Sequence, residues 1–338
     1  MKFIKNLIVK SVLIAVTTFL IFAGIGVASS LINRQDEIVV LEIPRGHSPS
    51  QIANLLKDND LIDSKVYFRA ILKYSPEVAN LQAGVYEFNK SDTTISIITK
   101  ISEGRVAQYE DIRITIPEGR TIEEMGLIFE RNNLFTANEF YEAVNTIELD
   151  YEWFAGIDNA NILYKLEGYL FPDTYDFRTV TTPVIVIKRL AARFDQQIFQ
   201  LFKSSGFSKD MSFHQLLTLA SIVEKEAVID DERPIIASVF YNRLDINQAL
   251  QSCATVQYIL EEHKEVLSIA DTQIETPYNT YKYSGLPPGP VSSVGLASFK
   301  AVLDPADTNY RYFNAIGNGR HNFSVTFAQH EDSIRQNR

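Results

Sequence analysis

Cysteine is nearly absent. Cys253 is the only one in 338 residues, which excludes an intramolecular disulfide framework and any zinc site built on cysteine. Histidine is scarce too, and the five, at positions 47, 214, 263, 321 and 330, show no metalloprotease spacing. A lone histidine such as His321 reads more readily as a structural hydrogen-bonder than as a catalyst. There is no P-loop, no dinucleotide glycine fingerprint and no Gly-x-Ser-x-Gly elbow, so phosphate-donor and serine-hydrolase chemistries lack their signatures. Basic residues are outnumbered 32 to 42, for a net charge of −10, and no Lys/Arg face with interleaved aromatics is found, so nucleic acid is not an expected partner. What is present, 46% hydrophobic and 22% charged residues, suits two or three folded domains.

The N-terminus carries a long apolar run. Ser11 to Ile32 holds 22 consecutive residues without a charge. As a helix this run crosses a hydrocarbon core of roughly 30 Å. Lys2, Lys5 and Lys10 precede it, and Arg34, Asp36 and Glu37 follow it. The positive-inside rule then makes residues 1–10 a cytoplasmic tail and 11–32 a single-pass anchor, with everything after about Asn33 outside. A cleavable signal peptide is the competing reading, with Gly26-Val27-Ala28 as a loose cleavage site; the length of the run favours retention. In a bacterium this places the large part of the chain beyond the cytoplasmic (inner) membrane, facing the wall.

That exported part begins with a segment that occurs twice. LEIPRGHSPSQIANLLKDNDLIDSKVYFRA (Leu41 to Ala70) aligns without gaps on ITIPEGRTIEEMGLIFERNNLFTANEFYEA (Ile114 to Ala143), an offset of 73 residues. Each copy predicts a short strand, a Pro-x-Gly turn, a helix capped by Ser48 or Thr121, and a second helix. A Tyr-acid-Phe strand closes each copy, at Val85–Phe88 and Thr174–Phe177, and the second copy carries 16 extra residues, mainly between Thr146 and Pro172. Such a β-α-α-β module resembles the LysM type of sugar-binding domain; a purely structural duplication is the equal alternative. Within the insertion, Tyr169 and Phe171 fit either an ordinary core or stacking platforms beside a sugar.

The chemistry-bearing stretch is LASIVEKEA, Leu219 to Ala227. From Phe213 onward the apolar residues recur at helical spacing, and Glu224 and Glu226 interrupt them. Glu226 has Ile222 and Val223 one turn before it and Ile229 one turn after, neighbours that desolvate a carboxyl and raise its pKa. A carboxyl holding a proton near neutrality is the general acid a glycosidic oxygen needs. Glu224, near Leu217, Ala220 and Val228, is separated from it only weakly, and a solvated surface helix is the plain alternative. A second helical run follows from Arg233 to Gln251. Then come a turn-rich loop, PYNTYKYSGLPPGPVSS (Pro277 to Ser293), and a hairpin turning at Gly317-Asn318-Gly319 with His321 at its shoulder. In the loop, Tyr278, Asn279 and Tyr281 offer the amide and aromatic groups that sugars prefer.

LEGYLFPDTY, LASIVEKEA, ASVFYNRL, PYNTY, GLPPGP and GRHNFSVTFAQH, in that order, resemble the YceG-like endolytic murein transglycosylases, the MltG family, and the likeness runs from the anchor to the last strand. It implies an α+β protein: an N-terminal transmembrane helix, a small β-α-α-β LysM-like module over 38–106, and a YceG-like catalytic domain over 107–338 that includes a modified second copy at about 111–180. It also implies a lyase that cuts nascent peptidoglycan strands between N-acetylmuramic acid (MurNAc) and N-acetylglucosamine (GlcNAc). The products end in 1,6-anhydro-MurNAc, strand length is limited, and no cofactor or metal is needed. By the resemblance Glu226, the second glutamate of EKE, is catalytic, and Glu167, Glu224, Asn242, Gln251, Asn279 and Tyr281 belong to the substrate cleft. Peptidoglycan synthases are candidate partners. The chain departs from the family at Cys253-Ala254, where an Asp-Pro pair is common, and at Val294-Gly295, where a second Pro-Gly is usual. Two rivals stay open: a muramidase using a second carboxylate (Glu224, Glu167 or Asp173), and a non-catalytic glycan-binding scaffold.

Overall fold

The duplicated segment folds twice along one path. The computed structural model describes residues 37–75, 80–105, 110–157, 161–260, 264 and 266–337. The expected cytoplasmic tail and membrane anchor, 1–32, lie outside the described residues; among those described, no helix is long and apolar enough to cross a membrane. The chain divides into two units, up to Tyr109 and from Glu110.

In the first unit β1 (Ile38–Ile43) pairs antiparallel with β2 (Gly84–Asn89), joined through α1 (Pro49–Asp58) and α2 (Lys65–Tyr74), and α3 (Thr94–Ser102) follows. Ser48 starts α1 with a capping box, its side chain taking the Gln51 amide while Gln51 returns to the Ser48 amide. Leu41 and Ile43 alternate inward from β1 and meet Ile52, Leu56, Phe68, Tyr86 and Phe88 in a closed core. The repeat reading stopped at β2 and missed α3. Its Thr, Ile and Ser content is poor in helix formers, so the helix rests on burying Ile97, Ile98 and Ile101.

The second unit repeats the path. β3 (Asp111–Thr115) pairs antiparallel with β4 (Thr174–Arg178), with α4 (Ile122–Arg131) and α5 (Ala137–Thr146) between them. Thr121 and Glu124 form the matching capping box. The insertion contributes α6 (Glu152–Ala155) and a buried aromatic wedge: Tyr169 stacks on Trp153 at 5.2 Å and packs against Phe194 at 5.3 Å. Tyr169 and Phe171 are therefore core residues (1% and 7% exposed) rather than exposed platforms. After α7 (Pro183–Phe194) a π-turn leads into α8 (Gln200–Ser205), which Gly206 ends in the left-handed conformation at φ +66°.

α9 (Phe213–Glu226), α10 (Arg233–Asp245) and α12 (Leu296–Leu303) pack on one another, with short α11 (Cys253–Gln257) beside α9. Every residue of α9 from Leu216 to Glu224 is buried, which excludes the surface-helix alternative for that span and marks a central helix. The chain closes with the expected hairpin, β5 (Tyr312–Gly317) and β6 (Arg320–Ser324), and with α13 (Phe327–Gln336). The three sheets among the described residues have two strands each, so the architecture is α+β with helices carrying the core.

Gly168 tests how the insertion holds the proline-rich loop. It sits at φ +82°, and a Cβ there would come within 2.5 Å of Pro290 Cβ. Gly168→Ala is expected to cost roughly 2–4 kcal/mol through backbone strain and overpacking. Urea unfolding of the variant beside the parent reads this; a cost below 1 kcal/mol would mean that the loop yields freely.

Candidate active site

α9 delivers Glu226 on its last turn, where the Ala227 amide closes on Val223 O at 2.9 Å before the chain leaves the helix. Glu226 is half-buried and lines a cleft of about 740 Å³ with Arg243 of α10, Gln251, Cys253, Tyr281, His321 of β6 and His330 of α13. Burial pushes its carboxyl above the ordinary value of 4.5; the Ser252 hydroxyl, the positive charges of His321 and Arg243, and the Ala254 amide oppose that shift. The Ser252 hydroxyl donates to Glu226 Oε1 at 2.5 Å. The negative end of the α9 dipole also disfavours the anion there. The result is a carboxyl that holds its proton longer than a surface glutamate and still has partners for its anion.

The cleft walls are held stiffly. Gln251 lies in the left-handed region at φ +49°, unusual for a residue with a side chain. Its amide donates to Thr280 O at 3.0 Å and the next amide, Ser252, to Thr280 Oγ1 at 3.1 Å. Arg243 donates to Arg311 O at 2.6 Å and Leu250 O at 2.5 Å, and its guanidinium lies 5.3 Å over the Tyr312 ring. Tyr281 meets Cys253 Sγ at 3.0 Å through its hydroxyl. The Cys253 departure thus lies in the cleft wall itself.

The structure brings Glu226, Gln251 and Tyr281 together. The other residues proposed for the cleft do not line it. Asn279 is fully buried; its amide donates to Thr272 O and Ile274 O at 3.1 and 2.9 Å and its oxygen takes the Tyr281 amide at 3.0 Å, which shapes the loop behind Tyr281. Asn242 ties α10 to Thr308 O and Tyr310 O, both at 2.8 Å. Glu224 points away from Glu226: it pairs with Arg233 at 3.1 Å and takes the Gly295 amide at 2.9 Å. Glu167 accepts from the Ile122 amide and the Tyr258 hydroxyl, both at 3.1 Å, at the start of α4. Arg243, Ser252, Tyr312 and His330 are not singled out in the sequence reading, and His321, read there as a structural hydrogen-bonder, also lines the cleft. Arg243 sits inside the conspicuous ASVFYNRL stretch, but the contribution of the others depends on long-range pairing.

A larger cavity of about 1000 Å³ lies at the other end of α9, lined by Lys209, His214, Tyr241 and Leu286–Pro288. Size alone would favour it. The desolvated carboxyl with its compensating partners is in the smaller cleft, which makes that cleft the candidate site for acid–base chemistry.

The chain belongs to the YceG-like family, whose model matches residues 41–336. It is 35% identical over 300 residues to a Bacillus subtilis protein named endolytic murein transglycosylase, covering 86% of this chain and 82% of that one. A Streptococcus pneumoniae protein of the same name is 31% identical over 82% of this chain, which spans only 54% of that relative's length. A crystal structure of a putative YceG-like protein from Listeria monocytogenes superposes with a TM-score of 0.59 at 34% identity, over 88% of this chain and all of that one.

Glu167 yields a prediction about pH and stability. Burial raises its carboxyl from 4.5 to about 8, so the folded protein keeps a proton that the unfolded chain releases near its ordinary value. The stability present at low pH is then lost as pH rises from the unfolded value through the folded one. Glu167→Gln should flatten this fall, which is worth up to about 4 kcal/mol. Urea unfolding at pH 5 and pH 8.5 measures it, and parallel losses in parent and variant would show that Glu167 does not titrate in this way.

Proposed function

We propose that this protein is an endolytic murein transglycosylase, with Glu226 serving in turn as its acid and its base. The observation that carries the proposal is that Glu226 is the only carboxylate among the described residues lining the cleft. The curated relatives of the same family bear that activity in their names. Protonated Glu226 donates to the glycosidic oxygen between MurNAc and GlcNAc as the C1–O bond breaks. Its carboxylate then takes the proton of the MurNAc 6-hydroxyl while that oxygen closes on C1. The 1,6-anhydro end forms, the catalyst regains its proton and no water is consumed.

A hydrolytic muramidase uses a second carboxylate for water or for covalent attack. The three candidates for that role are engaged elsewhere. Glu224 is paired with Arg233, Asp173 with Arg193 at 2.9 Å, and Glu167 is closed in the core. This arrangement supports the lyase over the hydrolase. Residues 11–32 anchor the enzyme in the cytoplasmic membrane with the two units outside, where strands are being made. The first unit, as a LysM-like module, holds a glycan strand, and wall synthases supply it. Cutting nascent strands internally limits their length.

Mass spectrometry of glycans released from uncrosslinked peptidoglycan by the detergent-solubilised chain tests the reading. The parent should yield anhydro-ended fragments, and Glu226→Gln should lower cleavage by at least about 10²-fold, the range of general acid–base help. Reducing ends from the parent would make it a muramidase, and equal cleavage by both would remove Glu226 from the chemistry.

A further inference from the structure

We infer that Glu232 and His321 form a charge pair that stabilises the Glu226 anion once it has given up its proton, which makes His321 a positioning residue for the closing half of the reaction. The inference rests on the transglycosylase reading, because only a group that must be acid and then base needs its anion held in the same buried place.

Glu232 ends the short turn Asp230–Glu232 between α9 and α10 and is 5% exposed. Its two oxygens take both hydrogen-bonding groups of one residue: the His321 amide at 3.2 Å and His321 Nδ1 at 2.8 Å. With Nδ1 turned to Glu232, Nε2 is the ring nitrogen not committed to it. Phe313 holds the ring edge-on at 5.3 Å. His321 and Glu226 line the same cleft. The hairpin tip is pressed on the residues that follow Glu226: a Cβ on Gly319 would come within 2.8 Å of Val228 Cγ1. Arg320 reaches Asp231 at 3.5 Å and Glu232 at 3.8 Å from the exposed side.

A hairpin could be docked with neutral amides at lower desolvation cost than a buried carboxylate and imidazole. The pair makes sense as a charge device. Burial and the end of α9 both disfavour the Glu226 anion, and the groups facing it from each packed element differ in what they offer. Ser252 and the Ala254 amide give hydrogen bonds. Arg243 of α10 is permanently charged and tied to two carbonyls. Burial and Arg243 push His330 of α13 toward its neutral form, and burial raises the Tyr281 hydroxyl, which keeps it uncharged near neutrality. His321 is the remaining group in the cleft that can carry a positive charge, and a positive charge there favours the Glu226 anion. The Glu232 carboxylate at 2.8 Å stands where the counter-ion of an imidazolium would be needed.

The test is a ¹³C NMR titration of the Glu226 side-chain carboxyl in the full chain, beside pH profiles of kcat/KM, in the parent, His321→Gln, Glu232→Gln and Arg320→Ala. His321→Gln and Glu232→Gln should both move the Glu226 midpoint up by roughly 0.5–1 pH unit, a modest loss of opposite charge. The alkaline limb of kcat/KM should follow, with KM within about twofold of the parent. Arg320→Ala should leave midpoint and limb in place. Glu232→Gln keeps the shape of the docking site and carries the test if His321→Gln does not fold. A lowered Tm with an unmoved Glu226 midpoint in both variants would make the pair a structural clasp and overturn the inference. A parent that cuts no glycan while its Glu226 midpoint shifts as expected would instead overturn the transglycosylase reading and leave the charge coupling standing.

Discussion

The structure is arranged around a half-buried carboxyl at the edge of a cleft. α9 is buried on all sides from Leu216 to Val223, its two hydroxyls (Thr218 and Ser221) bonded back to helix carbonyls, so it lies in the middle of the second unit and its C-terminal turn emerges where α10, α12 and the hairpin leave room. That exit is the Glu226 cleft. Burial of this kind is unfavourable to a charge, and the helix end adds to the penalty. Partners on the surrounding elements oppose that penalty: the Ser252 hydroxyl, the Ala254 amide, His321 and Arg243. A fuller set of partners would turn Glu226 into an ordinary carboxylate, and fewer would leave its anion unsupported; the role proposed for it needs the intermediate case.

The duplicated module explains how that exit is framed. In the second copy the Pro-x-Gly turn is built into the catalytic unit: the Gly119 and Arg120 amides donate to Ser293 O and Oγ at 3.1 and 3.0 Å, and the Ser293 amide returns to Arg120 O at 2.7 Å. Lys225, the residue before Glu226, donates to Gly119 O at 3.2 Å. A side chain at Gly119 would meet Lys225 and Glu224, whereas one at the matching Gly46 of the first copy would meet nothing within 4 Å. The same turn is therefore free in one copy and a wall in the other. Glu224 belongs to this frame. Its pairing with Arg233 joins the end of α9 to the start of α10, and through the Gly295 amide to the start of α12.

What could be read from the residues follows the range of the interactions. The two capping boxes, the paired strands, the helical run ending in Glu226 and the hairpin at Gly317-Asn318-Gly319 are local patterns, and each was legible. The β-α-α-β repeat was legible because its spacing is a sequence property, although α3 was lost behind its weak helix formers. The cleft was legible only in part. Gln251 and Tyr281 lie close to Glu226, but Ser252, Arg243 and His321 reach it from three separate elements across 26, 17 and 95 residues of chain, and no local pattern marks such a meeting. Asn242, Asn279, Glu167 and Glu224 were placed in the cleft by resemblance. In the structure each satisfies backbone or ionic partners in the frame, so a requirement for the residue type need not mean contact with substrate.

Three glutamates in this unit, Glu118, Glu167 and Glu226, have carboxyls raised by burial, and the contrast between the last two is one of access. Glu167 is 2% exposed, its Oε1 has no hydrogen-bond partner among the described residues, and the bonds to its Oε2 come from the start of α4 and from Tyr258. Burial raises its pKa, and among the described residues hydrogen bonds rather than a cation oppose that shift. Glu226 is also desolvated, but one side of it opens on a cleft, and cations and a hydroxyl stand ready for its anion. A raised pKa is thus shared by an acid closed in the core and one that opens on a cleft. Access together with a supported conjugate base is what distinguishes Glu226, and the acid–base role proposed for it needs both, since a proton would have to leave it and return in each turnover.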